Sequence, residues 1–118
     1  MLRWLGLPAL FALAACGGPE RDLLEEAHGA VRDRLRDPES ALFNDRITAV
    51  YLESGLVCSG EVNSRNGFGG MTGGQPYYYS RELGAALKED GLERWGEILD
   101  QCITAQGNGE AVFHPAIE

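Results

Sequence analysis

Basic residues are scarce in this 118-residue chain, which holds 10 Lys and Arg against 18 Asp and Glu for a formal net charge of -8. They are also scattered, and each phosphate of a nucleic acid or anionic lipid surface needs a cation facing it, so neither is expected as the main partner. No run approaches the roughly 20 apolar residues of a permanent membrane span. Histidine occurs only at His28 and His114, with no second ligand at zinc spacing, so no metal is expected. A Cys-x-x-Cys pair, which would lower a thiol pKa, is missing. So are a nucleophile with a matching base, a paired-carboxylate motif and a cofactor fingerprint. The expectation is a protein that is not an enzyme and carries no cofactor.

The first fifteen residues carry the most specific signal present. Arg3 precedes the apolar run Trp4-Leu5-Gly6-Leu7-Pro8-Ala9-Leu10-Phe11-Ala12, then Leu13-Ala14-Ala15-Cys16. The run is too short for an anchor helix but suits the core of a cleaved export signal. Its end resembles the lipobox of bacterial lipoproteins, in which the cysteine is acylated and cleavage occurs just before it. Small residues at 14 and 15 fit a peptidase groove, and only a thiol carries the thioether. The alternative is an ordinary secretory signal. Several buried acyl chains, at about 0.8 kcal/mol per CH2, would make attachment permanent. Gly17 stands where an Asp signals inner-membrane retention in enterobacterial-type lipoproteins, which points to the outer membrane. The expected organisation is a signal peptide over 1–15, a lipidated cysteine and short tether over 16–19, and one small α+β domain over 20–118. A domain this size buries a modest fraction of its surface.

From Pro19 to Arg36, Leu24, Ala27, Val31 and Leu35 recur at helical steps with Leu23 and Ala30 beside them, predicting one amphipathic helix. Glu20 and Asp22 at its start and Arg32, Arg34 and Arg36 at its end suit the helix dipole. Gly29 weakens it by up to about 1 kcal/mol and suggests close approach to a sheet. Asp37-Pro38-Glu39-Ser40 predicts a short helical turn that places Leu42 and Phe43 on the core. Arg46 to Leu52 and Leu56 to Asn63 read as a hairpin closed by Glu53-Ser54-Gly55. Strict alternation puts Leu56, Cys58, Gly60 and Val62 on one face, and Val57, Ser59, Glu61 and Asn63 on the other. Gln75 to Ser80 is a third strand, with Tyr77 and Tyr79 on one side and Tyr78 on the other. Ser80 would cap a helix over Arg81 to Lys88. A second helical segment carries Leu92, Trp95, Leu99 and Cys102 inward, with Ile98 and Ile103 adjacent. Ala111-Val112-Phe113 suggests a short edge strand. The fold class is thus α+β, with an N-terminal helix and a C-terminal helical segment packed on an antiparallel sheet of about three strands.

With Cys16 assigned to lipid, Cys58 and Cys102 remain, and in an oxidising compartment a disulfide between them is expected. A bridge closing a loop of about 45 residues is worth roughly 4 kcal/mol. The other reading is a redox-active pair. Between Asn63 and Gln75 lies a glycine-rich loop that lacks the Gly-Lys-Ser/Thr ending of a phosphate-binding loop and leads into a strand rather than a helix. The competing reading is a mobile loop whose Phe68 packs down locally. Glu61 with Ser59, Asn63 and Asn66 forms a polar cluster that in a cleft would suit a sugar or peptide, and on an open sheet face would simply be solvated. The tyrosines offer apolar area with a polar tip, with at least one of them in the core. The candidate binding surface is therefore Ser59, Glu61, Asn63, Asn66, Phe68 and Tyr78.

Asp37-Pro38-Glu39-Ser40-Ala41-Leu42-Phe43, then Cys58 and Gly60-Glu61-Val62-Asn63-Ser64-Arg65-Asn66-Gly67-Phe68-Gly69-Gly70-Met71-Thr72-Gly73, resembles a family of small proteobacterial and phage-associated proteins. Its pattern is Asp-Pro-x-Ser-Ala-x-Phe, then Cys-Gly-x-Val-Asn-x-x-Asn-x-x-Gly-Gly-x-x-Gly, then an aromatic strand. The family brings no catalytic residues and no established activity. Here Ser59 separates Cys58 from Gly60, which turns the cysteine to the opposite sheet face unless a bulge absorbs it.

Three functions follow as expectations. The first is a lipid-anchored envelope binding or structural module facing the periplasm, with the membrane and an envelope protein as partners. The second is an inhibitor of an envelope hydrolase such as lysozyme, an acidic domain meeting a basic enzyme. The third is a cell-wall-sugar enzyme using Glu61 as acid or base.

Overall fold

The computed structural model describes residues 18–116. The predicted signal over 1–15 and Cys16 lie outside the described residues. The chain enters helix α1, Pro19–Arg32, with Pro at its first turn and Glu20 and Asp22 at its positive end. Leu23, Leu24, Ala27, His28 and Val31 form its buried stripe. The helix stops one turn short of the predicted Arg36: Arg34 N donates to Val31 O and Leu35 N to Arg32 O, at 2.9 and 3.0 Å. These tightened bonds close the last turn before Pro38 bars further helix. Gly29 does not serve close approach, because a Cβ there would meet nothing within 4 Å.

A 3-10 turn over Pro38–Ser40 follows, as expected. The sheet then has five antiparallel strands rather than about three: β1 Leu42–Asn44, β2 Ala49–Tyr51, β3 Leu56–Asn63, β4 Gln75–Ser80 and β5 Gly84–Leu87. β3 is its spine. β4 lies on one side of it, followed by β5. β1 and β2 share the other side end to end, β1 pairing with Glu61–Asn63 and β2 with Leu56–Cys58. Leu42 is therefore in a strand and exposed rather than on a helical turn against the core, while Phe43 packs inward.

The register between β3 and β4 carries the main departure from strict alternation. Val57 pairs with Tyr79 and Gly60 with Tyr77, so three steps on β3 match two on β4. The extra residue is a bulge at Ser59, whose φ of 63° lies in the left-handed region. Ser59 is thus the insertion that keeps Cys58 inward. Beyond it the faces exchange: Gly60 and Val62 join Val57 against α1, and Glu61 shares the face of Cys58.

Two apolar layers result. On one face, Leu23, Leu24, Ala27 and Val31 of α1 meet Val57, Val62, Tyr77, Tyr79, Ala85 and Leu87. On the other, Ile98, Cys102 and Ala105 of helix α2, Leu92–Gly107, meet Tyr51, Leu56, Cys58 and Ala86. The sheet is sandwiched between two helices. The expected split of the tyrosines is present, Tyr77 and Tyr79 facing α1 and Tyr78 facing α2.

Arg81 to Lys88 is not a helix. Ser80 does cap, its Oγ accepting from the amides of Glu82 and Leu83 at 3.1 and 3.2 Å. The cap closes a turn only, Gly84 takes a φ of 92°, and residues 84–87 return as β5. Small Ala85 and Ala86 let both helices approach this edge, and that packing overrides their helix propensity. The inner line of α2 is also rotated from the expected one: Leu92 is 76% exposed, Trp95 and Leu99 are flanking, and Ile98 and Ala105 lie with Cys102. The pair Cys58–Cys102, with Cα atoms 6.3 Å apart, is disulfide-linked and fixes that line. The tail supplies a bridge between Val50 and Phe113.

Candidate functional site

Helix α2 covers only part of its sheet face. Past Cys58, the face carrying Asn44, Glu61 and Pro76 continues beyond the helix, and a cleft of about 350 Å³ opens there. Ser59, Glu61 and Tyr78 line it with Asn44, Arg46 and Ile47. The bulge creates this site twice over, placing Ser59 at the rim and bringing Glu61 to the same face as Cys58. Glu61 packs over Gly74, where any Cβ would collide with its carboxylate. Tyr78 is held by Trp95 of α2, edge to face at 4.8 Å between centroids. Among the described residues, neither Glu61 nor Arg46 forms a salt bridge. One free anion and one free cation thus share a half-open cleft with an aromatic edge. Such a set can hold a small polar or zwitterionic group by charge and stacking.

The other sequence candidates do not reach the cleft. Asn63 Oδ1 accepts from Gly73 N at 2.9 Å. Asn66 Oδ1 accepts from the amides of Phe68 and Gly70 at 2.9 and 3.1 Å. Both side chains stitch the glycine-rich loop together, Asn66 by ordinary turn chemistry to the backbone two residues on and Asn63 across the loop to Gly73. Phe68 does not pack down: it is 99% exposed. Beside the cleft, the linked Cys58 and Cys102 are both buried.

Sequence reasoning missed a polar centre between α1 and the sheet. Asp45, in the break between β1 and β2, accepts from the hydroxyls of Thr48 and Tyr77 at 3.2 and 3.3 Å. His28 Nε2 donates to the same carboxylate, 3.2 Å from Oδ2. Its ring stacks on Phe43 at 3.9 Å. Burial raises the pKa of Asp45, but the hydrogen bond and charge of His28, with the two hydroxyls, leave it below the ordinary carboxylate value. Burial first, then the charge of Asp45, drives the Tyr77 phenol strongly upward. Nothing in the sequence marked this cluster, since its members lie 17 and 32 residues apart. Tyr77 and Thr48 are fully buried, and the Asp45 side chain is only partly exposed, so the centre ties α1 to the sheet. A second link joins Glu26 of α1 to Tyr79 and Arg81. The Arg81 hydrogen bond, then that of Tyr79, holds Glu26 below its ordinary value. Burial, then Glu26, pushes the Tyr79 phenol up to about 12.

Among the described residues, no three His, Cys, Asp or Glu side chains gather as a metal site, and no helix is long and apolar enough to cross a membrane. Family models, curated protein sequences and solved structures give no match to the chain. The geometry of the chain itself is what bears on function.

Proposed function

We propose that this chain is a lipid-anchored binding module of a bacterial cell envelope, held at the outer membrane through acyl groups on Cys16. Its periplasmic domain takes a small polar ligand, such as a cell-wall sugar or peptide fragment, in the cleft of Ser59, Glu61 and Tyr78. The observation that carries the reading is the unpaired Glu61 carboxylate beside an anchored aromatic ring in an open cleft. Binding is preferred over catalysis because a glycosidase works with two carboxyl groups across the scissile bond, and among the described residues Glu61 is the one carboxylate lining this cleft. The buried Cys58–Cys102 link fits an oxidising compartment.

Trp95 reports occupancy. Cleavage before Cys16 removes Trp4 and leaves Trp95, against Tyr78, as the sole tryptophan. Titration with purified peptidoglycan fragments is expected to change its emission saturably in the wild type and not in Glu61→Gln. Cys16→Ser is expected to move the protein from the membrane to the soluble periplasmic fraction. No saturable response sinks the cleft reading, and a membrane-bound Cys16→Ser sinks the anchor. If a basic hydrolase such as lysozyme is the partner instead, its binding weakens steeply as salt rises.

A further inference from the structure

The loop between β3 and β4 presents one aromatic side chain to solvent on a braced support. Phe68, at 99% exposure, is the most exposed large apolar residue among those described, and Met71 beside it is 43% exposed. The surrounding backbone is bonded to itself and does not cover the ring. Asn66 N donates to Gly70 O and Thr72 N to Ser64 O, both at 2.7 Å, and Arg65 bridges Met71. Asn66 and Asn63 tie the amides of Phe68, Gly70 and Gly73. The loop base is docked on the chain that follows α1: Arg65 N donates to Ser40 Oγ at 2.8 Å, and Arg65 Nε lies 3.4 Å from Asp37. Preorganisation of this kind removes much of the ordering entropy that binding otherwise costs.

Charge sets the tip apart from the rest of the molecule. Residues 62–81 contain no Asp or Glu in a chain that is strongly acidic elsewhere. Arg65 stands in the loop, and Arg36 lies against Gly67, with Nε 3.1 Å from where a Cβ would be. The Arg65 guanidinium is taken up by Asp37 and the Gly69 carbonyl, so the Arg36 guanidinium is the one left beside the exposed ring, and an aromatic next to an Arg is the composition of an interface anchor.

From this we infer that the Phe68 tip is a docking point for a second envelope protein, which receives the ring in an apolar pocket rimmed by carboxylates. The site is separate from the cleft of Ser59, Glu61 and Tyr78. It rests on the lipid-anchored reading for the envelope compartment in which the partner is met. With Arg65 paired to Asp37, the tip carries too few cations to hold an anionic lipid surface, which favours a protein occupant over lipid.

The test places a photo-crosslinking amino acid at position 68, or at the exposed Ile103 of α2 as control, in the full chain expressed in its own envelope. The expected result is one discrete protein adduct from position 68 and none from 103, with the crosslinked peptide bordering an acidic pocket. The purified partner should then bind Phe68→Ala at least about 30-fold more weakly than wild type, the loss of one hot-spot aromatic. It should bind Arg36→Glu more weakly too, and Glu61→Gln as wild type. Phe68→Ala should melt with the wild type, since the ring touches solvent alone. No discrete adduct, equal adducts from 68 and 103, or an adduct with a second copy of this chain overturns the proposal. So does Phe68-dependent binding to phosphatidylglycerol vesicles, which would make the tip a membrane wedge. Loss of binding by Glu61→Gln would merge the two sites and overturn their separation, while a failure of peptidoglycan binding leaves this result untouched.

Discussion

Gly60 and Gly29 make a matched pair on which the packing of the α1 face can be tested. Both are buried or partly buried, both lack a positive φ, and both would acquire one methyl group as alanine. At Gly60 the new Cβ falls inside the ring of Tyr77, a residue with no solvent exposure, and the ring has nowhere to go. Its hydroxyl is held by Asp45 and its edge by Phe43, with centroids 5.8 Å apart. Overpacking a tight interior typically costs about 1–3 kcal/mol, and each kcal/mol moves the melting point of a domain this size by roughly 4–8 °C. At Gly29 the methyl meets nothing, and alanine restores up to about 1 kcal/mol of helix propensity. Circular dichroism melts should show Gly60→Ala falling by roughly 8–16 °C, if the strain is about 2 kcal/mol, while Gly29→Ala rises by a few degrees. Equal melting points for Gly60→Ala and wild type would refute the pairing of Gly60 with Tyr77, and with it the bulge at Ser59.

Three further outcomes follow from the polar links and the disulfide. Asp45 titrates below its ordinary value when folded, so its contribution is present at neutral pH and is lost as pH falls below about 4 through the folded value. Asp45→Asn should be less stable at pH 7 and have a flatter acid limb in urea titrations. Tyr79, raised to about 12, stabilises the fold below pH 10 and loses that contribution as pH climbs from about 10 to 12; Tyr79→Phe should flatten the alkaline limb. Reduction of the Cys58–Cys102 bond, which spans 44 residues, should lower unfolding free energy by roughly 4 kcal/mol, seen as a drop in urea midpoint that the double Ala variant reproduces.

Local periodicity carried the stripe of α1, the presence of α2 and the pairing of the central hairpin. The stripe of α1 needs only three- and four-residue spacing, and the tyrosine run of β4 declares its two faces by alternation. It failed where tertiary packing outvotes propensity. Leu83 and Leu87 stand one turn apart as in a helix, yet Ala85 and Ala86 are strand residues because their smallness suits an edge between two helices. The short β1 was hidden because three residues give too little pattern to read. For the cleft, residue types at 59, 61 and 78 were visible, but their convergence depends on a backbone irregularity that alternation cannot foresee. Asn63 and Asn66 illustrate the opposite error: polar residues chosen for a ligand are consumed by their own loop. His28 and Asp45 meet only in three dimensions.

The bulge has a consequence for how such a domain can diverge. Remove the codon for residue 59 and every side chain from 60 to 63 trades places, sending the Glu61 carboxylate into an oily layer and Val62 out to water. A lineage with that shorter strand would have to rewrite the second half of β3 together with the ring of Tyr77 that rests upon it. One inserted serine thus partitions the possible descendants of this scaffold into two groups that point substitutions alone cannot easily connect.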